Sequence, residues 1–393
     1  MALVNLSVSA NLSLTLFYSI FCFVIDSDPS IMLRASWFNC VCLVLLVSSS
    51  AGFSHVRGDF FINSTWPGTS AVSPPWAGKT LFSMTTHLNR VLLLGGEVQG
   101  TCESSGDIFS SVDFGQTWSP YLVGYFAPIH SAGFISFQPL GGVQPYLVII
   151  GGVRSCLGHL TDVWTTDNPG RVWDTTPTSI ANTIGPRSSF GLVQLVRPDG
   201  VPILVLWGGH NNVAAKNDVW SSLDGKQWTL ELASAPWAAR AHFAFASFRA
   251  GTSLIMSGGT SAYTPGGSQT KSDIWSTSAD KLNVWMRLAA APAWSTGREF
   301  SRMVNVGGNL ITAGGADNTT KYYNDVWISS DDARTWKQIT AADAFPKRSG
   351  YGFAVVGQAL VLVGGKAGQT VFNDAWNAHV YMYPLISNYS SIA

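Results

Sequence analysis

The sequence predicts an all-β chain folded as a six-bladed β-propeller. Three observations carry that prediction. An apolar run closes on Gly-Gly, an Asp-x-(Trp/Phe) triplet follows ten to fifteen residues after the first of those glycines, and the pattern occurs six times. The glycine pairs are Gly95-Gly96, Gly151-Gly152, Gly208-Gly209, Gly258-Gly259, Gly314-Gly315 and Gly364-Gly365. Their partners are Asp107/Phe109, Asp162/Trp164, Asp218/Trp220, Asp273/Trp275, Asp325/Trp327 and Asp374/Trp376. Self-similarity at a period of about 50 residues marks a propeller in which each repeat is one four-stranded sheet. Many unrelated activities sit on such a scaffold, so function has to be argued from particular residues.

Each repeat reads the same way. The first strand opens at a basic residue, giving the series Lys79, His130, Arg187, Arg240, Arg298 and Arg348. The second strand is strongly apolar and runs into Gly-Gly, as in Ile203 to Trp207. Glycine lets the backbone turn and pack closely where a Cβ would clash. The third strand carries Asp-x-Trp, and the fourth opens with a second tryptophan: Trp118, Trp173, Trp228, Trp285 and Trp336. The aromatic pair fills the space between neighbouring blades. Each second tryptophan precedes the next opener by a nearly constant interval, from Trp118 to His130 through Trp336 to Arg348, and Trp66 precedes Lys79 in the same frame. Phe60–Thr65 and Trp66 are therefore expected to supply the outer strand of the last blade, which lacks a second tryptophan after Trp376 and would otherwise present a free edge. The competing assignment gives that strand to His379–Pro384.

These motifs resemble the kelch repeat across nearly the whole of 54–386, with Phe109 in place of tryptophan as the main departure in the first repeat. The resemblance implies a propeller like the central domain of galactose oxidase. Ser111-Val-Asp-Phe-Gly-Gln-Thr-Trp118 is also similar to the Asp-box turn of sialidases, with imperfect copies at Thr166–Trp173, Ser222–Trp228 and Ser330–Trp336. In such a turn a carboxylate accepts backbone N–H groups and glycine takes the positive-φ position. The box has a structural role in those families, away from the active site.

The N-terminal region differs in character. Apolar stretches Leu12–Ile25 and Trp37–Val47 are each shorter than the ~20 residues that span a bilayer. From Met32 the order Arg34, an apolar run, then Ser48-Ser49-Ser50-Ala51-Gly52 matches the n-, h- and c-regions of a signal peptide cleaved after Ala51. The expected organisation is an upstream extension at 1–31, a signal peptide at 32–51, the propeller at 54–386 and a short tail at 387–393. An uncleaved N-terminal anchor is the alternative, and the only route to a membrane association. Acceptor triplets at Asn63, Asn318 and Asn388 agree with secretion. So do Cys102 and Cys156, the two cysteines outside the leader, which fall in equivalent loops of adjacent repeats and form one candidate disulfide.

Charge is sparse and balanced, with 23 basic and 23 acidic residues. No basic stripe suited to nucleic acid is present, so the expected partners are a protein or a glycan. Because strands alternate in direction, the loops after Gly-Gly and the links between blades share one face, and the Asp-box turns lie on the other. The openers Lys79, His130, Arg187, Arg240, Arg298 and Arg348 are expected to converge around the channel on the Gly-Gly face, where guanidinium forks suit carboxylates. Arg154, His210, Asn211, Asn212, Tyr263, Tyr322 and Tyr323 surround them in the loops. The alternative role for the arginines is to bond backbone carbonyls and hold the ring together.

The leading expectation is a secreted or lumenal binding propeller that recognises a carbohydrate or an acidic protein segment, not an enzyme. A sialidase-like glycosidase is the catalytic alternative, with Glu97, Glu103, Glu299 and Asp317 as the carboxylates on that face. A structural extracellular component is the third possibility. No cofactor is expected, and His130, His210 and His242 show no metal-ligand spacing.

Overall fold

The computed structural model describes residues 4–8, 12–16, 60–62, 74–98, 105–154, 157–168, 172–174, 177–180, 182–211, 213–261, 269–288, 294, 296–339 and 345–382. The chain divides into two units, Met1–Val56 and Arg57–Ala393. In the first, Val4–Val8 pairs antiparallel with Leu12–Leu16. The signal peptide at 32–51, Trp66, Cys102, Cys156, Asn63, Asn388, Tyr263, Asn212, Glu103 and the tail 387–393 lie outside the described residues.

In the second unit the described strands form six antiparallel blade sheets, each running from an inner to an outer strand, and two short two-stranded ribbons after Gly-Gly. Blade 1 comprises Ser83–His87, Arg90–Leu94, Ile108–Ser111 and Ser119–Leu122. Blade 2 comprises Gly133–Phe137, Tyr146–Ile150, Asp162–Asn168 and Val172–Trp173, with Thr178–Ser179 as an extra partner of its third strand. The inner strands of blades 3 to 6 are Gly191–Val196, Ala244–Phe248, Arg302–Val306 and Gly352–Val356. In blade 6, Ala375–Met382 is the third strand, and Phe60–Ile62 pairs antiparallel with its end, Phe60 opposite Met382. The N-terminal segment thus supplies the outer strand, and the competing assignment of 379–384 to that strand fails because 379–382 continues the third.

The second strands explain the apolar runs. Each lies mid-blade with a neighbouring blade against both faces, so alternation gives way to continuous hydrophobicity. Val91 to Leu94, Ile203 to Trp207 and Leu360 to Val363 are all buried. The core is a set of inter-blade layers. In one, Val205 and Trp207 of blade 3 meet Phe243, Leu254, Met256 and Trp285 of blade 4. In another, Val361 and Val363 of blade 6 meet Phe82, Val91 and Leu93 of blade 1, which closes the circle.

Two rings of backbone hydrogen bonds weld the blades. In the first, the second glycine of each pair donates its N–H to the opener carbonyl of the next blade: Gly96 to Ile129, Gly152 to Arg187, Gly209 to Arg240, Gly259 to Arg298, Gly315 to Arg348 and Gly365 to Lys79. The first glycine needs its missing Cβ for the same close approach: at Gly258, with φ +72°, a Cβ would stand 2.4 Å from the Arg298 carbonyl oxygen. The second ring lies two residues after each opener. There Leu81 donates to Gly350, Gly350 to Phe300, Phe300 to His242, His242 to Ser189, Ser189 to Ser131 and Ser131 back to Leu81, at 2.7 to 3.3 Å. All six residues sit at φ between 54° and 63°, although only Gly350 is a glycine. A non-glycine residue there costs on the order of 1–2 kcal/mol, which the closed ring offsets.

On the opposite face, Ser111, Asp113 and Thr117 form the expected tight turn. Asp113 Oδ1 accepts the Thr117 N–H at 2.8 Å, and Ser111 Oγ accepts the Gly115 N–H at 2.8 Å. Ser329, Asp331 and Thr335 repeat the geometry, with Ala333 at φ 63° in the glycine position.

Candidate functional site

The openers do not converge on the channel. Arg187, Arg240, Arg298 and Arg348 are 1%, 1%, 6% and 0% exposed, and each turns back into its own blade. Each guanidinium grips the aspartate of that blade's Asp-x-Trp triplet through two bonds: Asp218 at 2.7 and 2.8 Å, Asp273 at 2.5 and 2.9 Å, Asp325 at 2.6 and 2.7 Å, and Asp374 at 2.5 and 2.7 Å. The same guanidinium donates to the carbonyl of the first glycine of the pair, at 2.8 to 3.2 Å. The aspartate also accepts the indole N–H of the tryptophan two residues on, at 2.7 to 2.9 Å. Burial alone would raise the carboxyls of Asp218 and Asp273. The hydrogen bonds and charge of Arg187 and Arg240 outweigh it and hold both below the ordinary value. Opener, Gly-Gly and Asp-x-Trp are therefore one interlocked device. The ligand role expected for these arginines gives way to a structural one, inside each blade and not between blades.

Blades 1 and 2 lack the fork. In blade 1 Lys79 replaces arginine; burial pulls its ammonium below the ordinary value and Asp107 opposes only in part. Asp107 instead accepts from Ser105 Oγ at 2.7 Å and the Gly124 N–H at 2.8 Å. In blade 2 the opener is Ile129, because it is the Ile129 carbonyl that accepts the glycine N–H. His130 lies one position later than the sequence frame put it.

That later position defines the mouth of the channel on the Gly-Gly face. There Thr80, His130, Ser188, Ala241, Glu299 and Ser349 make short antiparallel bridges to Glu97, Val153, His210, Thr260, Ala316 and Lys366, the residues just after Gly-Gly. Histidines gather over blades 2 to 4. Ser188 Oγ lies 3.1 Å from Nε2 of both His159 and His210. The His159 and His210 rings are 4.9 Å apart, His210 and His242 are 5.3 Å apart, and His242 stacks on Phe300 at 3.8 Å. Burial first, then mutual repulsion, lowers His130 and His210 to about 4. His242 is pushed well down by burial, with His210 and Arg302 adding to the effect. At neutral pH the imidazoles of His130, His210 and His242 are uncharged donors and acceptors. Across the mouth, burial lifts Glu299 to about 7 against the opposing charge of Lys366.

The remaining expected residues have local duties. Arg154 is half-buried in a short hairpin, Val153–Arg154 with Gly158–His159. Asn211 Oδ1 caps its own loop by accepting the N–H groups of Val213 and Ala214. Tyr322 pairs with Ala316, while Tyr323 lies under the Arg298 guanidinium at 3.9 Å and donates to Asp317 at 2.9 Å. Asn318 is exposed at a loop tip on this face. With the arginines held by aspartates, no guanidinium triad of the sialidase kind forms at the mouth among the described residues. Among the described residues, too, no group of three or more His, Cys, Asp or Glu side chains could hold a metal ion.

Residues 200–381 match the family model described as the KLHDC2/KLHL20/DRC7 Kelch-repeats domain. The match runs from the second strand of blade 3 through blade 6, where Asp218, Asp273, Asp325 and Asp374 recur in the arginine forks. This is a kelch-repeat propeller. No curated protein matches the chain. As a kelch propeller it has the architecture of an interaction module, and its sequence-specific features lie in what the mouth displays. His159, Lys366 and Arg302 escaped the sequence reading. Arg302 had a detectable signal, because the equivalent residues of the other blades are Ser83, Gly133, Gly191, Ala244 and Gly352, all small.

Proposed function

We propose that this kelch propeller is a secreted protein-binding module whose partner, an extended polypeptide segment, docks on the Gly-Gly face over blades 2 to 4. The observation that carries the reading is a mixed surface in two adjacent loops. Leu157 and Val213 are 76% and 85% exposed, and they flank the His159–Ser188–His210 cluster. The neutral His210 imidazole and the Ser188 hydroxyl supply hydrogen bonds to peptide groups, and the aliphatic side chains supply area that loses water on contact. An acidic ligand is less suited to this patch, since the four arginine forks are already occupied by aspartates. Secretion rests on the leader-like order from Met32 to Gly52 and on the acceptor at exposed Asn318.

The test uses the full chain expressed through a secretory host. A photo-crosslinking residue is placed at Leu157, Val213 or, on the opposite face, Leu223. Expected is one polypeptide captured from the extracellular fluid at the first two positions and absent at Leu223. Equal capture at all three positions, or none, would overturn the docking assignment. N-terminal sequencing of the secreted chain should read from Gly52; a start at Met1 or Met32 would remove the cleaved leader.

A further inference from the structure

The channel inside the six inner strands contains a cavity of about 370 Å³. Its wall is mostly apolar and aromatic, with Phe134, Phe245, Phe300, Phe353, Met84 and Met303 among the lining residues. Neutral polar side chains such as Gln194 and His242 share that wall, and one member of it is a cation. Arg302 occupies the position at which the other blades carry serine, alanine or glycine, and it lines the cavity. At the equivalent glycines a Cβ would strike a neighbour: Met84 Sδ at 2.0 Å from Gly352, and the Trp207 ring at 2.3 Å from Gly191. Blade 5 alone departs from that close packing and sets a long cation there.

The surroundings leave this cation uncompensated. The four arginines of the forks each have an aspartate, and Arg249 has Asp332. Among the described residues no carboxylate pairs with Arg302, and no hydrogen-bond acceptor meets its guanidinium. The ionisable groups close to it are His242, which its charge helps keep neutral, and Tyr351, whose hydroxyl donates to the Ala313 carbonyl. Burial lowers Arg302 from its ordinary value, with Tyr351 opposing, yet an arginine remains charged at neutral pH. Arg302 is half-buried, so its guanidinium faces the channel with no acceptor of its own, and a cation held there favours an anion that can pair with it.

A cavity of a few hundred cubic ångström, lined by aromatic groups and holding a few placed polar groups, is the form of a small-molecule site. The guanidinium fork selects a planar two-oxygen anion. We propose that the central channel binds a small hydrophobic carboxylic acid, with Arg302 gripping the carboxylate and the aromatic wall holding the aryl or alkyl body. This site is separate from the docking surface over blades 2 to 4 and does not depend on it.

The experiment is titration calorimetry and thermal shift on the full secreted chain with benzoate, phenylacetate and hexanoate, each beside its neutral amide. The acids should give saturable heat and raise the melting temperature, and the amides should do neither. Arg302→Met should weaken the acid response about tenfold or more, the loss expected for a charge-assisted bond. It should leave the unliganded melting temperature unchanged or higher, because an unpaired charge is removed. Arg249→Met, a surface control, should bind like the parent. The proposal is overturned if no acid binds, if acid and amide bind alike, or if Arg302→Met retains the response. Should Arg302→Met fail to fold, the acid–amide comparison in the parent chain still decides.

Discussion

Blades 3 to 6 and blades 1 and 2 share a strand plan but not a lock. In the four later blades a buried arginine, an aspartate, a tryptophan and a glycine carbonyl interlock. In the first two, lysine or isoleucine stands at the arginine position, and blade 1 also replaces its tryptophan with Phe109. The inter-blade backbone ring nevertheless runs through all six openers without interruption, since it uses only carbonyl oxygens. The fork is thus not needed to close the circle; it sets how firmly the Gly-Gly turn is tied to the third strand of the same blade. Blades 1 and 2 are also where Cys102 and Cys156 fall. A covalent link there would take the place of the missing ionic one.

The comparison is broken most directly by removing a fork. Arg240→Ala leaves the half-buried Asp273 without its partner and should cost about 2–4 kcal/mol in urea unfolding, whereas Lys79→Ala should cost far less because no fork exists to break. Equal losses would erase the distinction between the two groups of blades. Next in size is the cysteine pair. Intact mass with and without reduction should differ by two hydrogens, and Cys102→Ser/Cys156→Ser should lose about 2–4 kcal/mol on the chain-entropy estimate.

The histidine cluster gives a pH signature of comparable size. His130 and His210 have folded-state values near 4 against an ordinary 6.5, so the unfolded chain binds more protons between those limits. Their contribution to stability is intact above pH 6.5 and is lost as pH falls towards 4, by up to roughly 3 kcal/mol per group. Glu299, at about 7 against an ordinary 4.5, works in the opposite direction, and stability is lost as pH rises from 4.5 to 7. Glu299→Gln should therefore stabilise the protein above pH 7, and His130→Gln/His210→Gln should flatten the acid limb. Stability curves measured between pH 4 and 8 check both. The smallest effect belongs to the left-handed ring. Ser189→Gly, at φ 54°, should raise stability by up to about 1 kcal/mol, read from the urea midpoint.

Much of this was legible because kelch architecture writes itself in a few side chains that recur at fixed spacing. Glycine at positive φ, tryptophan between blades and Trp66 in frame before Lys79 all pointed to six blades and an N-terminal closing strand. Other features were hidden for identifiable reasons. The arginine and its aspartate stand 26 to 33 residues apart in the chain, and nothing local says that one grips the other. The frame slipped at His130 because the opener's inter-blade task is done by its carbonyl, which Ile129 supplies as well as arginine does. The left-handed ring escaped altogether: Leu81, Ser131, Ser189, His242, Phe300 and Gly350 share a backbone shape and no side-chain chemistry.

That ring has an electrostatic consequence. Peptide dipoles aligned along a helix add, and they leave donors bare at one end and acceptors bare at the other. Six links from Leu81 round to Ser131 run head to tail in a circuit with no ends, so their tangential components cancel and no N–H is left over. This ring itself therefore adds little net field to the channel, and none of its six amides is bare towards an arriving anion. The sign of the potential inside is left to side chains, and Arg302 sets it.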